Sequence, residues 1–357
     1  MKVRLGELES FLESELYRQF STVPITPSRA ASYINNPDGK AEDVVLILAF
    51  IDGRLTAFRS LFAGVVQAEK EELRFGWCSG SWVEPGFRRQ GLSQLLLKEA
   101  LNDWNGRLML TNYSPETESL YIKTGWFKPV HQFEGIRGYL FPKASKLFPD
   151  RKENAVAKLL FPVIDFFMAA VSWIKILFYR YKNPDHIRFD IFEDTDEECF
   201  RFIENYSQDY LFSRKAKEII WILKWPWISE TNRPYKKNYP FSACSDSFYY
   251  RTVKVMHKDI LKGVCLFSVR EGHLKTLFFW LPTQLEGELV SFLKDYTIRH
   301  RLEMLTVYHS GMAKQLSKSK FPFLHLRKIS QKIYSSFDTG TSGNSIVQDG
   351  DGDRAFT

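Results

Sequence analysis

The chain runs to 357 residues with 44% hydrophobic and 25% charged side chains, more than one hydrophobic core usually serves, and its composition excludes disorder over most of its length. Lys and Arg outnumber Asp and Glu by 49 to 42, a mild excess that suits anionic partners but comes without a dense basic block, helix-turn-helix or zinc pattern, so no nucleic-acid partner is expected. Cys78, Cys199, Cys244 and Cys265 form no CxxC pair and read as reduced thiols of a cytoplasmic protein, and the acidic start around Glu7 predicts no signal peptide.

Apolar runs from Val44 to Phe50 and from Leu55 to Val65 flank Ile51-Asp52-Gly53-Arg54, whose Asp-Gly predicts a hairpin. Leu73 to Val83 reads as a third strand, broken by Pro85-Gly86. Leu92 to Trp104 has helical spacing, with Leu95, Leu96, Ala100 and Leu101 on one side. Arg107 to Thr111 returns as a strand, and Thr117 to Thr124 reads as a short helix capped by Gly125. The order is β-β-β-turn-α-β-α.

Beyond Phe127 the signals weaken until Leu159 to Phe178, apolar apart from Asp165, Ser172 and Lys175. On a helical wheel these three fall in one narrow polar stripe with Lys158, Tyr179 and Lys182. A helix apolar on all but one stripe is expected between buried layers, so an interdomain helix is preferred here. A membrane-surface helix, giving peripheral membrane contact through 159–178, comes second and a true span third.

Asn183-Pro184-Asp185 then breaks the chain and Ile187 to Ile191 opens a second α/β region. It continues through an aromatic, helical stretch from Glu197 to Ile228, a polar linker from Thr231 to Asn238, and strands at Phe248 to Val255, Gly263 to Val269 and Leu274 to Leu281. A helix from Glu286 to His300 and a strand from Met304 to Tyr308 follow. This order echoes the first half. The Ser-, Gly- and Asp-rich tail from Ser336 to Thr357 is expected to be mobile. Its Asp349-Gly350-Asp351-Gly352-Asp353 opens like a calcium loop but lacks the twelfth-position Glu, so no metal is expected. The expected division is residues 1–150, an apolar bridging helix at 151–185, a second domain at 186–335 and an acidic tail at 336–357.

The most informative stretch is Trp82-Val83-Glu84-Pro85-Gly86-Phe87-Arg88-Arg89-Gln90-Gly91-Leu92-Ser93, a strand that breaks into a tight turn opening onto a helix. The first N–H groups of a helix lack intrahelical partners and carry the positive end of its dipole, so they converge on an anion. Gly91 permits close approach, Ser93 is small, and Arg88 and Arg89 add charge. Alone, such a turn reads more readily as an ordinary strand-to-helix connection, because short glycine motifs are common.

Its neighbours bring a resemblance. Arg88, Gly91 and Ser93 stand where the GNAT superfamily of acetyl-CoA-dependent N-acetyltransferases has Gln or Arg, two residues, Gly, one residue, then Gly or Ala. Downstream, Asn112, Ser119-Leu120-Tyr121 and Gly125-Trp126-Phe127 are similar to the family's second motif. The resemblance covers roughly Asp43 to Pro129. It implies an α/β (α+β) GNAT fold, with a central mixed, mostly antiparallel sheet flanked by helices, repeated in a degenerate second domain. It also implies acetyl-CoA as co-substrate, held by Trp82, Val83, Arg88, Arg89, Gln90, Gly91, Leu92, Ser93 and Asn112, with Tyr121 giving the departing thiolate its proton.

The base is a gap, because Phe75 to Val83 contains no carboxylate; a water relay through Ser79, Ser81 or Asn112 stands beside the flanking Glu71, Glu72 and Glu84. Cys78 reads as packing. Trp225 and Trp227, following Arg214, Lys215 and Lys217, are candidates for the acceptor, weighed against a helix that buries its tryptophans. The expected activity is acetyl transfer to a primary amine, with an amino sugar of a surface-polysaccharide pathway leading. Protein or small-amine acetylation and a non-catalytic acyl-CoA sensor or scaffold remain alternatives.

Overall fold

A computed structural model describes residues 1–68, 71–111, 118, 121, 123–148, 154–181, 186–206, 210–212, 214–231, 235, 237–340 and 345–356. In chain order the first elements are β1 (Lys2–Arg4), α1 (Leu8–Glu13), α2 (Glu15–Gln19), α3 (Pro27–Ile34), β2 (Val44–Ile51), β3 (Arg54–Gln67), β4 (Glu72–Val83), α4 (Leu92–Asp103) and β5 (Leu108–Thr111). Then come β6 (Lys128–Tyr139), α5 (Ala144–Leu147), α6 (Ala155–Phe178), β7 (Ile187–Phe192), α7 (Glu197–Asn205), α8 (Ala216–Lys224), β8 (Ser229–Glu230) and β9 (Cys244–Ser245). The chain closes with β10 (Phe248–His257), β11 (Ile260–Arg270), β12 (His273–Trp280), α9 (Glu286–Arg299), β13 (Met304–Val307), α10 (Ser310–Lys318) and β14 (His325–Ser335).

Two compact units result, and neither is continuous in sequence. One comprises residues 1–132, 203–248 and 331–357; the other comprises 133–202 and 249–330. This differs from the expected division at residues 150 and 186. The reason lies in β6 and β14, whose weak alternation hid them from the sequence reading.

In the first unit the sheet order is β1-β2-β3-β4-β5-β14. The β2–β3 hairpin turns at Asp52 and Gly53, both at positive φ, as the Asp-Gly signal requires. β5 runs parallel to β4 through only three pairs, Gly76 with Leu108 to Cys78 with Leu110. β14 completes this sheet against β5, Ile333 opposite Thr111. One face carries a core in which α4 packs Leu96, Leu97 and Ala100 against Leu61, Leu108 and Leu110, with Tyr121, Phe127 and Tyr334.

The opposite face holds the tail that was expected to be mobile. Residues 352–356 form a 3-10 turn that is buried throughout. Phe356 stacks on Trp227 at 4.6 Å and meets Trp221 at 4.8 Å. Asp351 pairs with Arg214 at 2.9 Å, and Arg354 donates to the Gln348 carbonyl and to Gln331. An aromatic anchor and satisfied charges give this Gly- and Asp-rich segment the fixed place that composition alone argues against.

In the second unit the order is β6-β13-β12-β11-β10-β7, with β12 parallel to β13 after α9, the same sequence of elements that β4, α4 and β5 follow. Its core gathers Phe267, Leu274, Leu289, Leu293, Leu305 and Phe323. α6 belongs to this unit and departs from the expected buried helix: only 11% of its most apolar window is buried.

Candidate active site

The geometry begins with β4. Ser79 is an extra residue in the β3–β4 ladder, between the pairs Leu61 with Cys78 and Ser60 with Gly80. Such a bulge bends a strand and re-aims its side chains. β4 runs on through residues 79–83 beyond its last pair with β5, an edge that has no strand partner among the described residues and that a ligand can pair with.

The strand then breaks at Pro85, which starts a single 3-10 turn to Phe87, and α4 begins after Gly91. Gly91 sits at φ 82°, in the left-handed region, with open space where a side chain would stand. Arg89 also takes positive φ at 64°, which folds the turn tightly. Arg88 Nε donates to the Val83 carbonyl at 3.2 Å, tying the turn to the strand end. Arg88, Arg89 and Gln90 are exposed. The first N–H groups of α4 therefore open onto a basic, accessible turn.

Beside the free edge lies a buried polar cluster. Arg59 on β3 is 1% exposed; its guanidinium donates to the Tyr121 hydroxyl at 3.5 Å and to Ser81 Oγ at 3.3 Å, while its Nε has no partner among the described residues. Burial holds the Tyr121 phenol above its ordinary value, with Arg59 pulling the other way. Phe127 packs edge-on against Tyr121 at 5.1 Å. Burial likewise raises the Cys78 thiol against the opposing pull of Arg59, which keeps it protonated and inert.

A carboxylate reaches this cluster from the tail: Ser79 Oγ donates to Asp353 Oδ2 at 2.9 Å, and the charge of Asp353 acts on both Tyr121 and Cys78. Gly352 makes the approach possible, since a Cβ there would fall 2.2 Å from the Trp77 ring. Trp82 turns to the other face, stacks on Phe58 at 5.5 Å, and lines a cleft of about 330 Å³ with Phe20, Thr22, Glu84 and Asn238.

No family model and no curated protein matches the chain. Among solved structures, a GCN5-related N-acetyltransferase from Anabaena variabilis superposes with a TM-score of 0.47 at 11% identity, over 93% of this chain and 68% of that one. A tandem GNAT protein from the clavulanic acid biosynthesis pathway gives 0.50 at 11% identity, over 96% of this chain and 98% of that one. The chain has the tandem GNAT fold.

Within the GNAT fold of the first unit, Trp82, Val83, Arg88, Arg89, Gln90, Gly91, Leu92 and Ser93 lie along the strand exit and helix start, and the buried Tyr121 meets Arg59, which also donates to Ser81 on β4. Asn112 lies outside the described residues. Trp227 is 3% exposed, packed on Phe62, Tyr33 and Phe356 with Arg29 over its ring at 4.0 Å. This is the aromatic core that the alternative reading of the segment described, so Trp227 offers an acceptor no open face; Trp225 is 36% exposed. Sequence reasoning missed Arg59 and Asp353, the first because a lone Arg in a strand reads as solvated, the second because it stands in a tail of disordered composition.

Proposed function

We propose that the chain is an acetyl-CoA-dependent N-acetyltransferase acting through its first unit. The observation that carries this reading is the parting of β4 from β5 directly ahead of the Gly91 turn, beside a buried Tyr121. Acetyl-CoA would supply a thioester carbonyl. The N–H groups at the start of α4, with Arg88 and Arg89, would hold its pyrophosphate, and the edge of β4 near Val83 its pantetheine arm. Tyr121, kept protonated by burial, donates a proton to the leaving sulfur. Asp353, through Ser79, takes the proton from the acceptor amine and so fills the place of the carboxylate missing from β4.

Acetylation of an amino sugar leads among acceptor classes. Its support is a pair of clefts in the first unit with aromatic faces and polar rims, the one beside Trp82 and another of about 370 Å³ lined by Tyr235, Lys237, Tyr239 and Phe241; flat rings next to hydrogen-bonding groups suit sugars. The proposed location is cytoplasmic.

The test is calorimetric titration with acetyl-CoA, followed by release of free CoA thiol with amino sugars, small amines and peptides. Ser93→Glu places a carboxylate among the helix N–H groups without backbone strain and is expected to abolish acetyl-CoA binding while the melting temperature holds. Unchanged affinity in that variant removes the reading. Binding without turnover on any amine makes the chain a sensor instead.

A further inference from the structure

α6 is built inside out. Asn154 caps it by accepting from the N–H groups of Val156 and Ala157, and 24 residues follow whose mean hydropathy reaches 1.8. In a soluble protein such a helix turns its apolar side to the core. Here the polar stripe faces inward. Asp165 Oδ1 accepts from the Ala144 N–H at 2.6 Å, Ser172 Oγ donates to the Leu140 carbonyl, and Lys175 Nζ donates to the Phe323 carbonyl at 3.1 Å. These three anchors all bind within the second unit, and they fix the rotation of the helix.

The apolar side is thereby turned outward. Leu159, Val163, Phe167, Ile174 and Leu177 recur at steps of three, four and seven, at 76, 51, 63, 56 and 69% exposure. An apolar strip of this length in water is costly and marks a surface made for a partner. The flanks say which. Between residues 143 and 182 the chain carries eight Lys and Arg against three Asp and Glu; Asp165 and Lys175 are both turned inward, which leaves seven against two. Trp173, with Arg301 over its ring at 5.3 Å, and Tyr179 stand toward one end, the residue types that favour a bilayer's headgroup level.

We infer that α6 lies in the plane of an anionic membrane surface, its apolar side in the acyl boundary and its basic flanks at the headgroups. An in-plane helix keeps its inner stripe on the protein while its outer face meets lipid, the arrangement the three anchors impose. This inference stands apart from the proposed chemistry, since none of its residues belongs to the first unit.

The test is co-flotation of the full-length protein with phosphatidylcholine vesicles prepared with and without phosphatidylglycerol. Binding is expected to be about 10-fold or more stronger on the anionic vesicles and to weaken in high salt. Leu159→Glu/Phe166→Glu/Leu177→Glu alters only exposed positions and is expected to lose binding by about 10-fold or more while keeping its melting temperature. The inference falls if the triple variant floats as the wild type does. It also falls if the wild type ignores anionic vesicles and instead elutes as a dimer that the triple variant disperses, which gives the strip to a second copy. Labelling of Ala155→Cys and Arg180→Cys from opposite sides of sealed vesicles overturns the in-plane placement in favour of a span.

Discussion

In the proposed mechanism Tyr121 is the residue on which the chemistry turns. Replacing it with Phe keeps the edge-on packing against Phe127 and removes only the hydroxyl that meets Arg59. Turnover is expected to fall about 10²- to 10⁴-fold with acetyl-CoA affinity retained; an unaffected rate would make Tyr121 a packing residue. Asp353→Asn keeps an acceptor for Ser79 and removes the charge, so kcat is expected to fall by about 10²-fold or more in steady-state assays while the tail stays docked. His309 offers a test of the second unit. It accepts from the Met312 N–H as a helix cap, and burial depresses its pKa to about 4. The unfolded His protonates near its ordinary value while the native one does not, so native stability is lost as pH falls from about 6.5 toward 4. The adjacent Glu286, raised by burial, opposes this over the upper carboxylate range. His309→Asn keeps a capping acceptor, and the drop in denaturation midpoint between those pH values should shrink; an identical drop would assign it to other groups.

At the scale of elements, the geometry of the turn from Pro85 to Gly91 was legible because glycine and proline at fixed offsets have a local mechanism, and the hairpin at Asp52-Gly53 was legible for the same reason. Where the sequence reading failed, the missing information was tertiary. β14 reads His-Leu-Arg-Lys-Ile-Ser-Gln-Lys-Ile-Tyr-Ser, polar enough to pass for a surface loop, and it becomes a strand because β5 offers an open edge. For α6 the polar stripe is present as read but the expected burial is not, since a narrow polar stripe can anchor to carbonyl and N–H groups and leave the apolar side exposed. The helix start in the second unit bears on stoichiometry. Where α4 opens after Gly91, α9 opens on Glu286, whose carboxylate lies so near that a Cβ on Gly311 would fall 2.0 Å from it. A buried carboxylate repels a pyrophosphate, so titration is expected to give one CoA per chain, and two sites would contradict this account.

For the molecule as a whole, sequence reading found two α/β modules in the right order but divided them at the wrong places. Length and periodicity say how many elements there are; they do not say which sheet a polar strand joins. The first unit recruits residues 203–248 and 331–357 from beyond the start of the second. Phe356, buried between Trp227 and Trp221, is expected to cost roughly 3–5 kcal/mol on replacement by Ala, measured by chemical denaturation. A shift of a few tenths would mean that the segment is loosely held. The position of that ring also sets an order of events during synthesis. Residues 331–356 must be translated before the aromatic plug and its neighbouring Asp353 can enter the first unit, so a polypeptide that stops short of them holds the Gly91 turn without the carboxylate. On the proposed mechanism, competence arrives only once Asp353 has been added, and a product cut short before it would bind the donor without being able to deprotonate an amine.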